Sequence, residues 1–306
     1  MTGNSRAAGI GGHASSPVRV ALATCADVPD LDEDGPTLLG AFARLGVEGV
    51  PAVWDAEDVD WQRFGLVVVR STWDYAERRD AFLAWAGSLP RVLNPVPVLR
   101  WSTDKELYLA DLSRAGVATV PTRFVEPGGR FETPDGPFVV KPAVSAGGRR
   151  SGRFDSWEHE AAARLVGQIH GDGVTAMVQP YLGPPDRLAE KGLVFVDGSY
   201  SHALRRSVPL PSPSEPGAPL YLEESLAPAS ASQAERALAE RALAAVPFSG
   251  TLLYARVDVG RGLDGEALVL ELELAEPSLY LAFGPGSAER LAAAIVRAAI
   301  AATGGP

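Results

Sequence analysis

The chain has 306 residues, 46% of them hydrophobic and 8% aromatic, and a formal net charge of −10. Its length predicts about two domains, and its composition suffices for sizeable cores. With no strongly basic block, a nucleic-acid partner is not expected, because duplex binding draws on clustered Lys and Arg to release counterions; a nucleotide needs only a few local cations.

Residues 1–16, MTGNSRAAGIGGHASS, are rich in Gly, Ser and Ala and lack the apolar core of a secretory signal, so they read as a disordered leader. No apolar run reaches transmembrane length, which predicts a cytoplasmic protein with no membrane partner. Cys25 is the single cysteine, so no intramolecular disulfide can form.

VRVALATC (18–25) is a short apolar run ending in a polar loop, as a first buried strand should be. A helix follows, with Pro36 in its first turn and Leu38, Leu39, Phe42 and Leu45 on one face before Gly46. VPAVW (50–54) and FGLVVVRSTWDY (64–75) supply a second and a third strand, RRDAFLAWAGSL (78–89) a helix, and RVLNP (91–95) a fourth strand stopped by proline. Strands alternating with helices predict a parallel sheet. Functional loops then belong at the strands' carboxyl ends, TCADVPD (24–30) and RSTWDY (70–75).

STDKELYLADLSRAG (102–116) predicts a helix with Thr103 and Glu106 as a capping box and Gly116 as its stop. GPFVVKP (136–142) is a strand, SAGGRRSGRF (145–154) a basic glycine-rich loop, SWEHEAAARLVGQIHG (156–171) a helix, and AMVQPYL (176–182) a strand. GLVFVDGSYSHALRRSV (192–208) reads as two strands around an Asp-Gly turn, followed by a Pro-rich loop at 208–219. A helix over 233–246, a hairpin over 252–274 and a final helix over 287–303 complete the chain.

The chemistry is concentrated in charged residues on greasy strands. Lys141 ends an otherwise apolar strand, where a lysine is costly without an anionic partner. The glycine-rich loop begins four residues later, and backbone N–H groups of such a loop can approach phosphate oxygens closely. In ALVLELELAEPSLYL (267–281), Glu271 and Glu273 project from one face of a strand whose other face is apolar. Asp258 lies on the strand to which this one is joined, beside Arg256. Adjacent carboxylates resist ionisation unless a cation is present, and Mg²⁺ typically bridges a few carboxylates to nucleotide phosphates. The bland alternative is a solvated outer sheet face; Asp258, Arg256 and the Lys-plus-glycine loop tilt the odds against it.

The order TDKELYLADL, VVKPAVSAGG, MVQPYL, YARVD and VLELELAEPSLYL resembles the ATP-grasp superfamily from about residue 18 onward. The resemblance implies an α/β and α+β fold: an N-terminal parallel-sheet domain (17–100), a small lobe with the glycine-rich loop (101–182), and a C-terminal lobe with the metal site (183–306), the two lobes gripping ATP. It implies that Lys105 and Lys141 contact the α- and β-phosphates, and that Ser145, Gly147 and Gly148 belong to the loop closing over them. Gln179, Tyr181 and Leu182 would lie beside adenine. The ribose acid falls at Glu190 or Asp186, with Glu190 preferred. Asp258, Glu271 and Glu273 would hold Mg²⁺, and Arg206 and Arg256 would stabilise the phosphoryl group in transfer. Many members carry Glu-x-Asn where this chain has Glu271-x-Glu273; a glutamate still offers oxygen, with one more negative charge.

VALATCADVPDLD, VVVRSTWDY, LNPVPVLRWSTDKELYLADL and ELELAEPSLYL are more narrowly similar to the O-ureido-D-serine cyclo-ligases of the D-cycloserine pathway. That resemblance implies carboxylate activation by ATP, ring closure without a second amine, and a small-molecule amino-acid substrate. A homodimer is compatible with it. Arg70, Ser71 and Asp74, around Trp73 and Tyr75, together with Glu276 and Ser278, are the expected substrate contacts. The rival readings are a RimK-like or glutathione-synthase-like ligase joining two molecules, and a nucleotide-binding protein without catalysis, against which the intact Lys105, Lys141, Asp258 and Glu271 argue. His13, His159 and His170 have no metal-ligand spacing, His202 reads as structural, and Cys25 as a packed small residue.

Overall fold

The computed structural model describes residues 18–184, 188–207 and 225–303. The leader, Asp186 and the Pro-rich stretch at 208–219 lie outside the described residues. Strands β1 (Arg19–Thr24), β2 (Glu48–Val53), β3 (Leu66–Ser71) and β4 (Val92–Leu93) form a parallel sheet in the order β2-β1-β3-β4. β1 and β3 are apolar runs because helices cover both their faces, as a parallel sheet requires. Helix α1 (Gly35–Arg44) has Pro36 in its first turn and buries Leu38 and Phe42 against Val20, Leu22 and Val68. Gly46 then turns the chain at φ 68°, a conformation that favours glycine. Helix α2 (Arg79–Ser88) packs Phe82, Leu83 and Ala86 on the same domain.

Two helices follow where one was expected. α3 (Val96–Ser102) starts directly after Pro95, and α4 (Lys105–Arg114) starts after a break at Thr103. The expected Thr103/Glu106 capping box is therefore replaced. Thr103 closes α3, its hydroxyl bonding Leu99 O, and the Asp104 carboxylate caps α4 by accepting from the N–H groups of Glu106 and Leu107.

The small antiparallel sheet has the order β5 (Arg123–Val125), β8 (Ala176–Pro180), β6 (Phe138–Pro142), β7 (Gly152–Phe154). Helix α5 (His159–Gly171) covers one face of it through Ala162, Val166 and Ile169. The large antiparallel sheet has the order β11 (Ser225–Ala229), β10 (Ser199–Ser207), β9 (Lys191–Val196), β12 (Tyr254–Arg261), β13 (Ala267–Glu273). β9 and β10 meet at Asp197-Gly198, both at positive φ (52° and 72°), the backbone a tight two-residue hairpin demands. Helix α6 (Gln233–Ala244), opened by a Ser232/Glu235 capping box, packs against Leu193, Phe195, Val257 and Leu272.

Successive residues of a strand face opposite sides. The other face of the large sheet therefore presents Val194, Val196 and Tyr254 to the N-terminal sheet and to the last helix, α7 (Ser287–Thr303). α7 lies between the two, its Leu291, Ile295 and Ala299 sharing a core with Leu22, Phe42 and Val196. Among the described residues no helix is long and apolar enough to cross a membrane.

Candidate active site

Where the three sheets meet, a cavity of about 560 Å³ opens. Its large-sheet wall follows from strand alternation. On β12 and β13, Val257 and Leu272 point to the α6 core, leaving Arg256, Asp258, Glu271 and Glu273 on the opposite side. Cross-strand register pairs Asp258 with Glu271 and Arg256 with Glu273. Gly192 on β9 lies beneath them, and a methyl group there would stand 3.2 Å from both Arg256 Cδ and Asp258 Oδ1.

Oxygens of Asp258, Glu271 and Glu273 lie within 4.8 Å of one another. Asp258 is buried and accepts from Arg206 Nη1 at 2.5 Å, Arg256 Nε at 2.9 Å and Arg256 Nη2 at 3.0 Å. Arg256 also reaches Glu273, and Arg206 reaches Glu190 Oε1 at 3.1 Å. Burial opposes ionisation of Glu271, but Lys105 and Lys141 outweigh it and lower its pKa to about 2. Glu273 is pushed up to about 7 by burial and by the charges of Asp258 and Glu271, which its arginine neighbours only partly offset. Glu190 is raised to about 7 by burial and Asp258, against the pull of Arg206. Three crowded carboxylates with hard oxygen donors suit a small divalent cation, so the donor set fits Mg²⁺.

Lys105 and Lys141 converge on this wall from the other side. Lys105 Nζ lies 2.9 Å from Glu271 Oε1 and 3.1 Å from Ser145 O, tying the start of the glycine-rich loop to the large sheet. Burial beside Lys105 lowers the pKa of Lys141, and Glu271 counteracts this. Gly147 and Gly148 line the cavity at φ 65° and 68°, conformations any side chain would strain. Arg149 of the same loop bonds Glu77 of the N-terminal domain at 2.7 Å.

Gln179, Tyr181 and Leu182 line a mainly apolar slot with Val139, Val120 and Leu270. Gln179 Nε2 donates to Thr122 Oγ1 at 2.8 Å, Tyr181 N donates to Pro137 O at 2.9 Å, and the Arg153 guanidinium sits 5.0 Å from the Tyr181 ring centre.

At the opposite end the lining is Glu276, Ser278, Tyr280, Trp73 and Tyr75. Three expected substrate contacts are not there. Arg70 is only 1% exposed, lying against Asp32 and Asp34 and donating to Pro277 O. Ser71 Oγ is buried 2.9 Å from Thr24 Oγ1. Asp74 turns away, accepting from Trp54 Nε1 at 2.8 Å and from Arg78. The loop reaches the cavity through its aromatics instead. Trp73 Nε1 donates to Glu276 O, and Tyr75 lies beside the Glu276 carboxyl and lowers its pKa in part. Burial, then Glu273, raises Glu276 to about 8. Pleat and turn geometry sent Arg70 inward, turned Asp74 toward Trp54 and Arg78, and brought the aromatic groups to the cleft. Tyr280 and Glu33 also line the cavity, and no sequence signal marked either one. Cys25 is fully buried and His202 is structural, its Nε2 bonding Leu279 O.

The architecture defines the class. A D-alanine–D-alanine ligase from Bacillus anthracis, solved with ATP, superposes with TM-score 0.65 at 14% identity over 93% of this chain and 98% of that one. The ATP-grasp ligase PsnB superposes with TM-score 0.59 at 18% identity over 94% and 99%. The fold is ATP-grasp, as the order of motifs implied. A model of the N-terminal domain of D-cycloserine synthetase DcsG matches residues 20–94. The cycloserine biosynthesis protein DcsG of Streptomyces lavendulae is 37% identical over 295 residues, covering 90% of this chain and 97% of that one. The crystal structure of D-cycloserine synthetase DcsG superposes with TM-score 0.79 at 34% identity over 92% and 99%. The chain belongs to the DcsG family and is an ATP-dependent ligase.

Proposed function

We propose that this enzyme is an intramolecular cyclo-ligase acting on an O-ureido-D-serine-like amino acid to give D-cycloserine. The observation that carries the reading is the 37% identity to DcsG across 97% of that protein. In the reaction the substrate carboxylate oxygen attacks the γ-phosphorus of ATP, and ADP leaves. The oxygen-bound ureido nitrogen then attacks the acyl carbon and loses its proton, phosphate departs as the five-membered ring closes, and water cleaves the carbamoyl group from that nitrogen, releasing carbon dioxide and ammonia and leaving D-cycloserine. One molecule supplies both partners, so ring closure is effectively unimolecular, with a large gain from proximity.

Phosphoryl transfer asks for positioning and charge more than for covalent chemistry. Lys105, Lys141 and the loop carrying Ser145, Gly147 and Gly148 would bind the phosphates and exclude the water that would hydrolyse an acyl phosphate. Gln179, Tyr181 and Leu182 would seat adenine, and Glu190 the ribose. Arg206 and Arg256 would stabilise the moving phosphoryl group. Asp258, Glu271 and Glu273 would hold Mg²⁺, which when bound supplies positive charge to the nucleotide phosphates. Glu276, buried and reached by no side-chain cation within ion-pair distance among the described residues, would pair with the substrate's α-ammonium group. The same reading divides the chain at about residues 100 and 182 and places the enzyme in the cytoplasm, with a homodimer as the proposed assembly.

The test is to supply ATP, Mg²⁺ and O-ureido-D-serine with no added amine. ADP and a cyclic isoxazolidinone should appear by mass spectrometry. ADP release only when a second amine is added would mean that two molecules are joined.

A further inference from the structure

The segment 274–281 follows β13, carries Glu276 and Ser278, and makes no regular secondary structure before Leu281. A buried irregular backbone must find partners for its polar groups, and here side chains from elsewhere supply them. Leu274 O accepts from Asn94 Nδ2 (2.8 Å), Ala275 O from the Tyr254 hydroxyl (2.7 Å), and Glu276 O from Trp73 Nε1 (3.1 Å). Pro277 O accepts from Arg70 Nη2 (3.3 Å), Ser278 O from Arg256 Nη1 (2.8 Å), and Leu279 O from His202 Nε2 (2.9 Å). The donors have a single focus on the N–H side. The Asp34 carboxylate takes Leu279 N at 2.7 Å, Tyr280 N at 2.9 Å and Leu281 N at 2.6 Å. Arg70 Nη2 stands 3.5 Å from the same carboxylate and Asp34 is only 3% exposed. Tyr280 is held at φ 49°, a left-handed conformation that a tyrosine adopts only under outside constraint.

We propose that Asp34 is a positioning residue for the amino-acid half of the cleft: its carboxylate, set against Arg70, fixes segment 274–281 so that Glu276 and Ser278 face the cavity and Ser278 O holds Arg256. The inference rests on the reading of the cleft given above. It also accounts for Arg70, which sits beneath the wall and acts on the substrate through it. Charge-assisted bonds to three successive N–H groups are stronger than neutral ones and orient the peptide planes as a set. Without the carboxylate, three buried donors lose their acceptor, and the segment must shift to find others. The shift moves Glu276, which sets substrate affinity, and Arg256, which sets the rate of phosphoryl transfer. The adenine slot lies on the small sheet and stays in place.

The experiment compares Asp34→Ala and Asp34→Asn with the wild-type enzyme, reading kcat and KM separately for ATP and for O-ureido-D-serine. It also reads hydrogen exchange of the peptide spanning residues 277–283. In Asp34→Ala, kcat/KM for the amino acid should fall roughly 10- to 100-fold while KM for ATP moves less than about twofold. Asp34→Asn keeps an oxygen acceptor and should recover part of the loss. Exchange at 277–283 should accelerate in both variants. Should Asp34→Ala fail to fold, Trp73→Phe, which removes the bond to Glu276 O, takes its place beside Asp34→Asn under the same criteria. An active wild type with unchanged amino-acid kinetics in the folded variants overturns the inference, as does a rise in KM for ATP as large as that for the amino acid. A wild type inert towards O-ureido-D-serine overturns the substrate reading instead; exchange then decides the Asp34 clamp, and unchanged protection of 277–283 rejects it.

Discussion

Glu271 and Glu273 differ by two positions and by opposite electrostatic surroundings. Lys105 and Lys141 hold Glu271 ionised, whereas Glu273 shares its side with Asp258 and Glu271 and leans on Arg256, with a smaller pull from Arg206. Glu271→Ala should therefore abolish ADP release, a loss on the order of 100-fold or more, with the far-ultraviolet circular dichroism unchanged. Glu273→Asn keeps an oxygen ligand and should retain appreciable activity, at a shifted Mg²⁺ requirement. ADP release measured against Mg²⁺ concentration separates the two, and a fully active Glu271→Ala would end the metal assignment.

His202 yields a second residue-scale expectation. Burial lowers its pKa from 6.5; the contacts with Leu279 and Tyr280 and the charge of Asp34 raise it in part, while Arg290 adds to the lowering. The folded state thus binds its proton at lower pH than the unfolded chain. The contribution of His202 to stability should be full above pH 6.5 and fall as the pH drops from there toward the folded value, by at most about 1.4 kcal/mol per pH unit, whereas the raised carboxyls of Glu190, Glu273 and Glu276 act in the opposite sense over the same window. Urea denaturation at pH 7.5, 6.5 and 5.5 measures this. His202→Asn should be less stable than the wild type at pH 7.5, and that difference should shrink as the pH falls to 5.5; a difference that does not change with pH would place the titration elsewhere.

At the scale of elements, the slot between β6, β8 and the large sheet combines apolar walls with residues 180–182, of which Pro180 has no N–H and Tyr181 N is already paired with Pro137 O. Such a site recognises the edge of a flat base through a few fixed hydrogen bonds, and a base with the opposite donor and acceptor pattern leaves them unpaired. ATP should bind more tightly than GTP by about tenfold or more. Calorimetric titration of both nucleotides with Mg²⁺ checks this, and equal affinities would move adenine out of the slot. The glycine-rich loop is held by Lys105 through Ser145 and by the Arg149–Glu77 pair, so the N-terminal domain helps to fix the loop that lines the cavity.

The molecule as a whole is knitted through its irregular joints. Asn94 donates to Tyr254 O and Leu274 O and accepts from Leu253 N, so one buried amide links the N-terminal sheet, β12 and the exit from β13. Asn94→Ala leaves those groups unsatisfied and should cost about 2–4 kcal/mol, read as a lower urea midpoint with one transition retained. Two separated transitions would show that the N-terminal sheet and the large sheet unfold independently, against the core they share with α7.

The sequence alone determined the order and type of most elements, because periods of 2 and 3.6 are written locally. Alternation in LELEL put Glu271 and Glu273 on one face, and glycines marked the loop at 145–154 and the β9–β10 turn. Proline-dense 95–97 hid α3, and the three-residue β5 lacked the length to show a period. What only tertiary structure decided was which polar groups reach the cavity. Arg70 and Tyr75 stand in the same short loop, and their fates follow from neighbours far along the chain. Asp32, Asp34 and Pro277 draw Arg70 into the core, while Tyr75 is left on the cavity lining beside Glu276. A buried charge goes where its counter-charge lies, and that location is a property of the assembled fold.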